Sequence, residues 1–169
     1  NLKNEPSPYW LKLCLWKTGI RPISSLVDIT NYVMLAVGQP THAFDKNMVQ
    51  DEIIIRRAQP GETLTLLDGK KLRLTGDDLM ICDRKEPIAL AGVMGGEKDS
   101  ILPTTDNLLL EIANFEPKGV RRSATRFQVR TESAIRNEKG LDAQRMDQAM
   151  AVADKLIRQL YPHAVVSAY

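Results

Sequence analysis

Central β-strands flanked by helices, a mixed α/β (α+β) arrangement, is what this 169-residue chain predicts. Three observations carry that reading. Apolar residues recur at helical spacing near both ends of the chain. Between Asp51 and Ala113 the period shortens to that of strands. Turn residues then cut the middle region into short pieces. No internal repeat, low-complexity segment or long linker divides the chain, so residues 1–169 read as one unit. It is helical over 1–50, mainly β over 51–115 and mainly helical over 116–169.

Taken in order, Ser7-Pro8 opens a helix carrying Leu11, Leu13, Cys14 and Leu15, and Gly19 stops it. Trp10 and Trp16 fall in this apolar segment and are read as packing residues. In the next helix Leu26, Ile29, Val33, Met34 and Val37 form a stripe. Pro22 fixes its entry, Ser24 or Ser25 is placed to cap it, and Gly38 with Gln39-Pro40 ends it. A short polar loop holding His42 follows. Ile53 to Arg57 is a β-branched strand ended by Gln59-Pro60-Gly61. Thr63–Leu66 and Lys71–Leu74 alternate on either side of Asp68-Gly69, a strong hairpin signal. After the turn Gly76-Asp77-Asp78 comes the strand Leu79–Asp83.

Pro87 to Met94 is nearly all apolar and reads as one strand buried on both faces, running into Gly95-Gly96-Glu97. Leu108 to Ala113 is a further strand, interrupted by Glu111. Pro117 opens a helix to about Phe127, and Thr131 to Gly140 is polar and unassigned. Asp142 caps the last helix, striped by Met146, Ala149, Met150, Ala153, Ile157 and Leu160 and ended by Pro162. Ala164 to Val166 reads as a final short strand.

Composition narrows the function classes. With 43% hydrophobic and 26% charged residues the chain is an ordinary globular domain. A net charge of +2 excludes nucleic-acid binding by bulk electrostatics and leaves only a local basic face. Cys14 and Cys82 form no Cys-x-x-Cys pattern and read as free thiols of a reducing, cytoplasmic compartment. No apolar run reaches the roughly 18 residues a membrane span needs. A first residue other than methionine reads as a piece of a larger protein.

Few residues carry chemistry. His42, in its loop, is either a structural hydrogen-bonder or a functional imidazole. Gly95 and Gly96 let a ligand approach the backbone, or merely form a tight turn. Glu111 is a charge inside Leu-Leu-Leu-Glu-Ile-Ala, costly to bury unpaired. Its donor is a ligand, another side chain, or an arginine of the following helix. On alternation Glu111 shares a face with Leu109 and Ala113, opposite Leu110 and Ile112. Lys118, Arg122, Arg126 and Arg130, spaced by four, make either a phosphate-binding stripe or a solvated helix face. No zinc pattern, Gly-x-Ser-x-Gly elbow or Cys/His pair is present, so no metal and no covalent mechanism are expected.

An ordered set of motifs spans nearly the whole chain. It comprises Arg21-Pro-Ile-x-x-x-Val-Asp-Ile-Thr-Asn-Tyr, Gly38-Gln-Pro-x-His-Ala-Phe-Asp45, Leu67-Asp-Gly69, Ala89-Leu-Ala-Gly-Val-Met-Gly-Gly-Glu97, Leu108-Leu-Leu-Glu111 and Arg136-x-Glu-Lys-Gly140. Together they closely resemble the B3/B4 module of the bacterial phenylalanyl-tRNA synthetase β subunit. The resemblance implies β-sheets in a sandwich of unusual topology flanked by helices, and a domain that edits. Editing there is hydrolysis of tyrosine wrongly esterified to tRNA(Phe).

It further implies His42 near the scissile ester and Glu111 reading the tyrosine hydroxyl. Thr30, Asn31, Gly95, Gly96, Thr131 and Ser133 fall on pocket positions, and the basic stripe becomes a tRNA contact. Implied partners are the tRNA(Phe) acceptor end, the α subunit and the rest of the β subunit. No cofactor is implied in this piece, because ATP and Mg2+ serve the aminoacylation module elsewhere. Two departures stand out. Ser133 replaces the family's alanine, where it narrows the slot or offers a second partner, and Asn137 stands where an aromatic is common. The competing classes are a non-catalytic, tRNA-supporting module of the β subunit and a stand-alone relative with another ester or amide substrate.

Overall fold

A computed structural model describes residues 2–167. Five helices and eight strands follow one another as α1 (Tyr9–Lys17), α2 (Ser25–Val37), β1 (Thr41–Asp45), β2 (Ile54–Arg57), β3 (Thr63–Thr65), β4 (Lys71–Arg73) and β5 (Leu79–Cys82), then β6 (Pro87–Leu90), β7 (Met94–Gly95), β8 (Leu108–Ile112), α3 (Pro117–Phe127), α4 (Glu132–Asn137) and α5 (Gln144–Leu160). The strands form three antiparallel sheets, ordered β1-β8, β2-β5-β6-β7 and β3-β4, and none closes into a barrel. The chain is thus α+β.

The β1–β8 ribbon organises the rest because its two faces serve different cores. Leu108, Leu110 and Ile112 pack with Leu11, Leu15, Ile29, Val33, Ala149, Ala153 and Ile157 of α1, α2 and α5. Phe44 and Leu109 point the other way and pack with Ile81, Ile88 and Ala89 of the larger sheet. A third cluster joins β3, β4, β5 and β6 to Val120 and Ala124 of α3 and Ala134 of α4. The strand alternation read for Glu111 therefore holds.

Several expectations change. His42 lies in β1, not in a loop, because Thr41 to Asp45 alternates and finds a partner far along the chain in β8. Residues 87–94 are not one strand. Gly92, at φ +70°, turns the chain, and β7 folds back on β6 with Ala89 opposite Gly95. Glycine is required there twice over. A Cβ would also lie 2.9 Å from Phe115 and 3.0 Å from Val120. Ser24 holds the N-cap position of α2 but its side chain forms no cap bond, and Asp28 takes Ile23 N–H at 2.8 Å and Ser7 Oγ at 2.5 Å.

The unassigned stretch holds α4, started by Thr131, whose Oγ1 accepts from Ala134 N–H at 3.0 Å. Six residues are too few to show a stripe. Ala143 occupies the N-cap position of α5, while Asp142 accepts from Gln144 N–H at 2.9 Å. Trp16 is 74% exposed rather than packed, Trp10 meets Tyr32 edge-on, and Met150 leaves the α5 stripe for solvent. Residues 164–166 form no strand.

Asp78 ties α3 to the sheets. Fully buried, it accepts from Thr75 N–H at 2.9 Å and Ser123 Oγ at 2.6 Å, and it pairs with Arg126. Asp78→Ala would leave those donors buried without an acceptor, so a loss of about 3 kcal/mol in urea unfolding is expected. Asp77→Ala, at an exposed neighbour, should cost under about 0.5 kcal/mol.

Candidate active site

Gln39 sets the site's register. Fully buried, it donates through Nε2 to Ala113 O at 3.0 Å and Pro40 O at 3.2 Å. This fastens the start of β1 to the end of β8. Thr41 Oγ1 adds a bond to Thr30 O at 3.2 Å. In that register His42 stands directly opposite Glu111, and Phe44 opposite Leu109. Cross-strand partners share a face, so the imidazole and the carboxyl project together toward β7.

The imidazole packs edge-on against Phe44, ring centroids 4.5 Å apart. On its other side lies Gly95, where any Cβ would fall 2.5 Å from His42 Cε1. Glycine at 95 is thus the condition for the ring's position. Burial lowers the His42 pKa to about 4, so the ring is neutral at pH 7. Nε2 is sealed off without a hydrogen-bond partner. A buried orphan acceptor costs less than a buried orphan N–H, which places the proton on Nδ1.

Glu111 has no hydrogen-bond or ion-pair partner among the described residues, and burial raises its pKa to about 7. The arginines of α3 do not serve it. Arg126 goes to Asp78 and to Thr75 Oγ1 at 2.8 Å, with its guanidinium 4.2 Å above the Phe127 ring. Arg122 goes to Asp77. So half of the basic stripe anchors α3, while the side chains of Lys118 and Arg130 make no hydrogen bond or ion pair among the described residues, Lys118 acting on Glu116 only through its charge.

His42, Gly95, Glu111 and Ser133 line one cavity of about 70 Å³, together with Gly92 and Asn137. Met94, Val93, Leu90 and Phe115 supply its apolar wall. An apolar cleft of about 440 Å³ adjoins it and shares Ile81, Glu111, Ala113 and Phe115, so Glu111 stands at the junction. Thr30, Asn31, Gly96 and Thr131 do not line the cavity. Thr30 Oγ1 bonds Val27 O inside α2, and Gly96 N–H bonds Ile88 O at 2.7 Å. Thr131 caps α4 and donates to Val93 O at 2.7 Å. Sequence reasoning missed Gln39, Gly92 and Phe115 as site residues. Asn137 was marked only as a departure, although its spacing of four from Ser133 on a helix was the available signal. No group of three or more His, Cys, Asp or Glu residues that could hold a metal ion occurs among the described residues.

An α+β chain whose two-stranded ribbon aims a histidine and a glutamate at a glycine hairpin matches a known domain. Residues 1–162 match the family model described as B3/4 domain, and the chain belongs to that family. Its relatives include the phenylalanine–tRNA ligase beta subunit of Streptococcus pyogenes serotype M28, 42% identical over 170 residues and all of this chain. Those of Latilactobacillus sakei and Carboxydothermus hydrogenoformans are each 44% identical over 95% of it. The chain spans about one fifth of these relatives, 21%, 20% and 20% respectively.

The two shifted groups oppose each other in pH dependence. Glu111 holds its proton more tightly folded, near 7, than at its ordinary 4.5, so its stabilisation is full below pH 4.5 and lost as pH rises through 7. His42, lowered from 6.5 to about 4, acts in reverse and adds stability as pH rises through that window. Glu111→Gln removes only the first. Its stability relative to the parent chain should therefore climb between pH 4.5 and 7, by on the order of 2–3 kcal/mol in urea titrations.

Proposed function

We propose that this chain is an editing module of a phenylalanine–tRNA ligase beta subunit, hydrolysing tyrosine misattached to tRNA(Phe). The observation that carries the reading is the cross-strand pair of His42 and Glu111 in one cavity, His42 Nε2 buried without a partner and the Glu111 carboxyl with no hydrogen bond or ion pair among the described residues. Tyrosine differs from phenylalanine by one hydroxyl. An apolar pocket rejects an added hydroxyl only about a hundredfold, whereas a buried polar group left unpaired by phenylalanine discriminates by roughly 10⁴ or more. The Glu111 carboxyl accepts the phenol O–H, and phenylalanine would leave it unpaired.

The chemistry is water attack on the ester carbonyl without an acyl-enzyme. No nucleophile is available in the cavity: Ser133 donates its proton to Gly92 O at 3.1 Å. Cys82 lies outside the cavity lining, and burial raises its thiol pKa to about 11. Neutral His42 orders the water or the ester through Nδ1, the terminal ribose of the tRNA assisting. The Gly96 amide is committed to Ile88 O, so the amide of Gly95 stabilises the developing oxyanion. Lys118 and Arg130 contact phosphates of the acceptor end, the α subunit and the rest of the β subunit complete the assembly, and the reaction is cytoplasmic and cofactor-free. No helix among the described residues is long and apolar enough to cross a membrane.

His42→Ala in the assembled ligase should slow Tyr-tRNA(Phe) deacylation by about 10²-fold or more with the fold retained. Unchanged deacylation would favour the rival reading, a module that only supports tRNA. For Glu111→Ala the readout is selectivity. The ratio of Tyr-tRNA to Phe-tRNA hydrolysis should fall to about 10² or less, and a preserved ratio would make the carboxylate structural.

A further inference from the structure

The wall opposite Glu111 has a polarity of its own. On α4, Asn137 is 2% exposed and faces the same cavity as Ser133. Its Nδ2 donates to Gly92 O at 3.1 Å, to Ser133 O at 3.2 Å and to Ser133 Oγ at 3.2 Å. Two of these are carbonyls that can only accept, so the amide cannot be turned round. Oδ1 is therefore the end held away from them, and it has no partner among the described residues. Ser133 is fixed by the same node. Its O–H points to Gly92 O, one lone pair takes the Asn137 amide, and one lone pair remains. Thr131 beside it is likewise spent, donating to Val93 O and accepting from Ala134 N–H. This wall offers acceptors and no donor.

We infer that Asn137 and Ser133 form the subsite for the protonated α-amino group of the aminoacyl ester, Asn137 binding through Oδ1 while it orients the Ser133 lone pair. The inference rests on the editing reading above and deepens it. A tyrosyl ester carries two donors at opposite ends of the amino acid, the phenol O–H and the α-ammonium. The cavity carries two acceptor sets on different elements, Glu111 on β8 and Asn137 with Ser133 on α4. Assigning the phenol to Glu111 leaves the ammonium to α4. The Ser133 hydroxyl is then a used group, turned back onto the Gly92 turn, rather than a free obstruction in the slot.

The test compares Tyr-tRNA(Phe) with N-acetyl-Tyr-tRNA(Phe), which lacks the cation, as substrates of the assembled ligase. Asn137→Leu should lower kcat/KM for the free amine about tenfold or more, mostly through KM, the effect of one charge-assisted hydrogen bond. Hydrolysis of the acetylated substrate should stay the same. Ser133→Ala, which leaves Asn137 Nδ2 bonded to both carbonyls and so strands no donor, should give a smaller fall with the same selectivity. Equal loss on both substrates, or none on either, would overturn the subsite while leaving the editing reading intact. A parent ligase that hydrolyses neither substrate would overturn the editing reading, and the subsite with it.

Discussion

The register of the β1–β8 ladder is the constraint on which the rest depends. Side chains of a strand alternate, so a slip of one residue would turn both His42 and Glu111 onto the opposite face. Two features forbid it. Leu108, Leu110 and Ile112 must face the helical core, and a slip would drive them out of it. Gln39, buried and bonded to Ala113 O, fastens the ends of the two strands. The apolar pattern that folds the ribbon is therefore also what aims the polar pair.

Burying an imidazole and a carboxyl without partners costs stability, and both respond by favouring their neutral forms. The apolar clusters on the two faces of the ribbon offset that cost. The α3 arginines Arg122 and Arg126 are held elsewhere by Asp77 and Asp78, which leaves the Glu111 carboxyl without a counter-charge from them. Gly95 contributes by what it lacks, since its missing Cβ is the space in which His42 lies. On the proposed reading the site discriminates by the cost of leaving polar groups unpaired, which suits a choice between two ligands that differ by a hydroxyl.

Much of this was legible in the sequence, and the failures have physical causes. The helical stripes, Met150 apart, and the hairpin at Asp68-Gly69 are local patterns, and they appear at the expected places. So does the oddity of Glu111, because a charge in an apolar run is conspicuous. His42 was misplaced in a loop because β1 is defined by pairing with a strand more than sixty residues away, a non-local fact. The break at Gly92 hid inside an apolar run, since a glycine between alanine and valine does not declare a turn without its crowded neighbours Phe115 and Val120. The basic stripe was legible as a pattern but not in its use, because the acceptors of Arg122 and Arg126 come from the β4–β5 turn. Asn137 drew notice only as a departure. Its bonds to Gly92 and Ser133 depend on how α4 meets the β6–β7 hairpin.

The most direct measurement is a crystal structure of the module with a non-hydrolysable tyrosyl-adenosine amide, which mimics the ester end of the charged tRNA. The phenol oxygen should lie about 2.5–2.8 Å from a Glu111 carboxylate oxygen, with the amide carbonyl on the Nδ1 side of His42. A tyrosyl group bound outside this cavity, or one whose phenol points away from Glu111, would contradict the account.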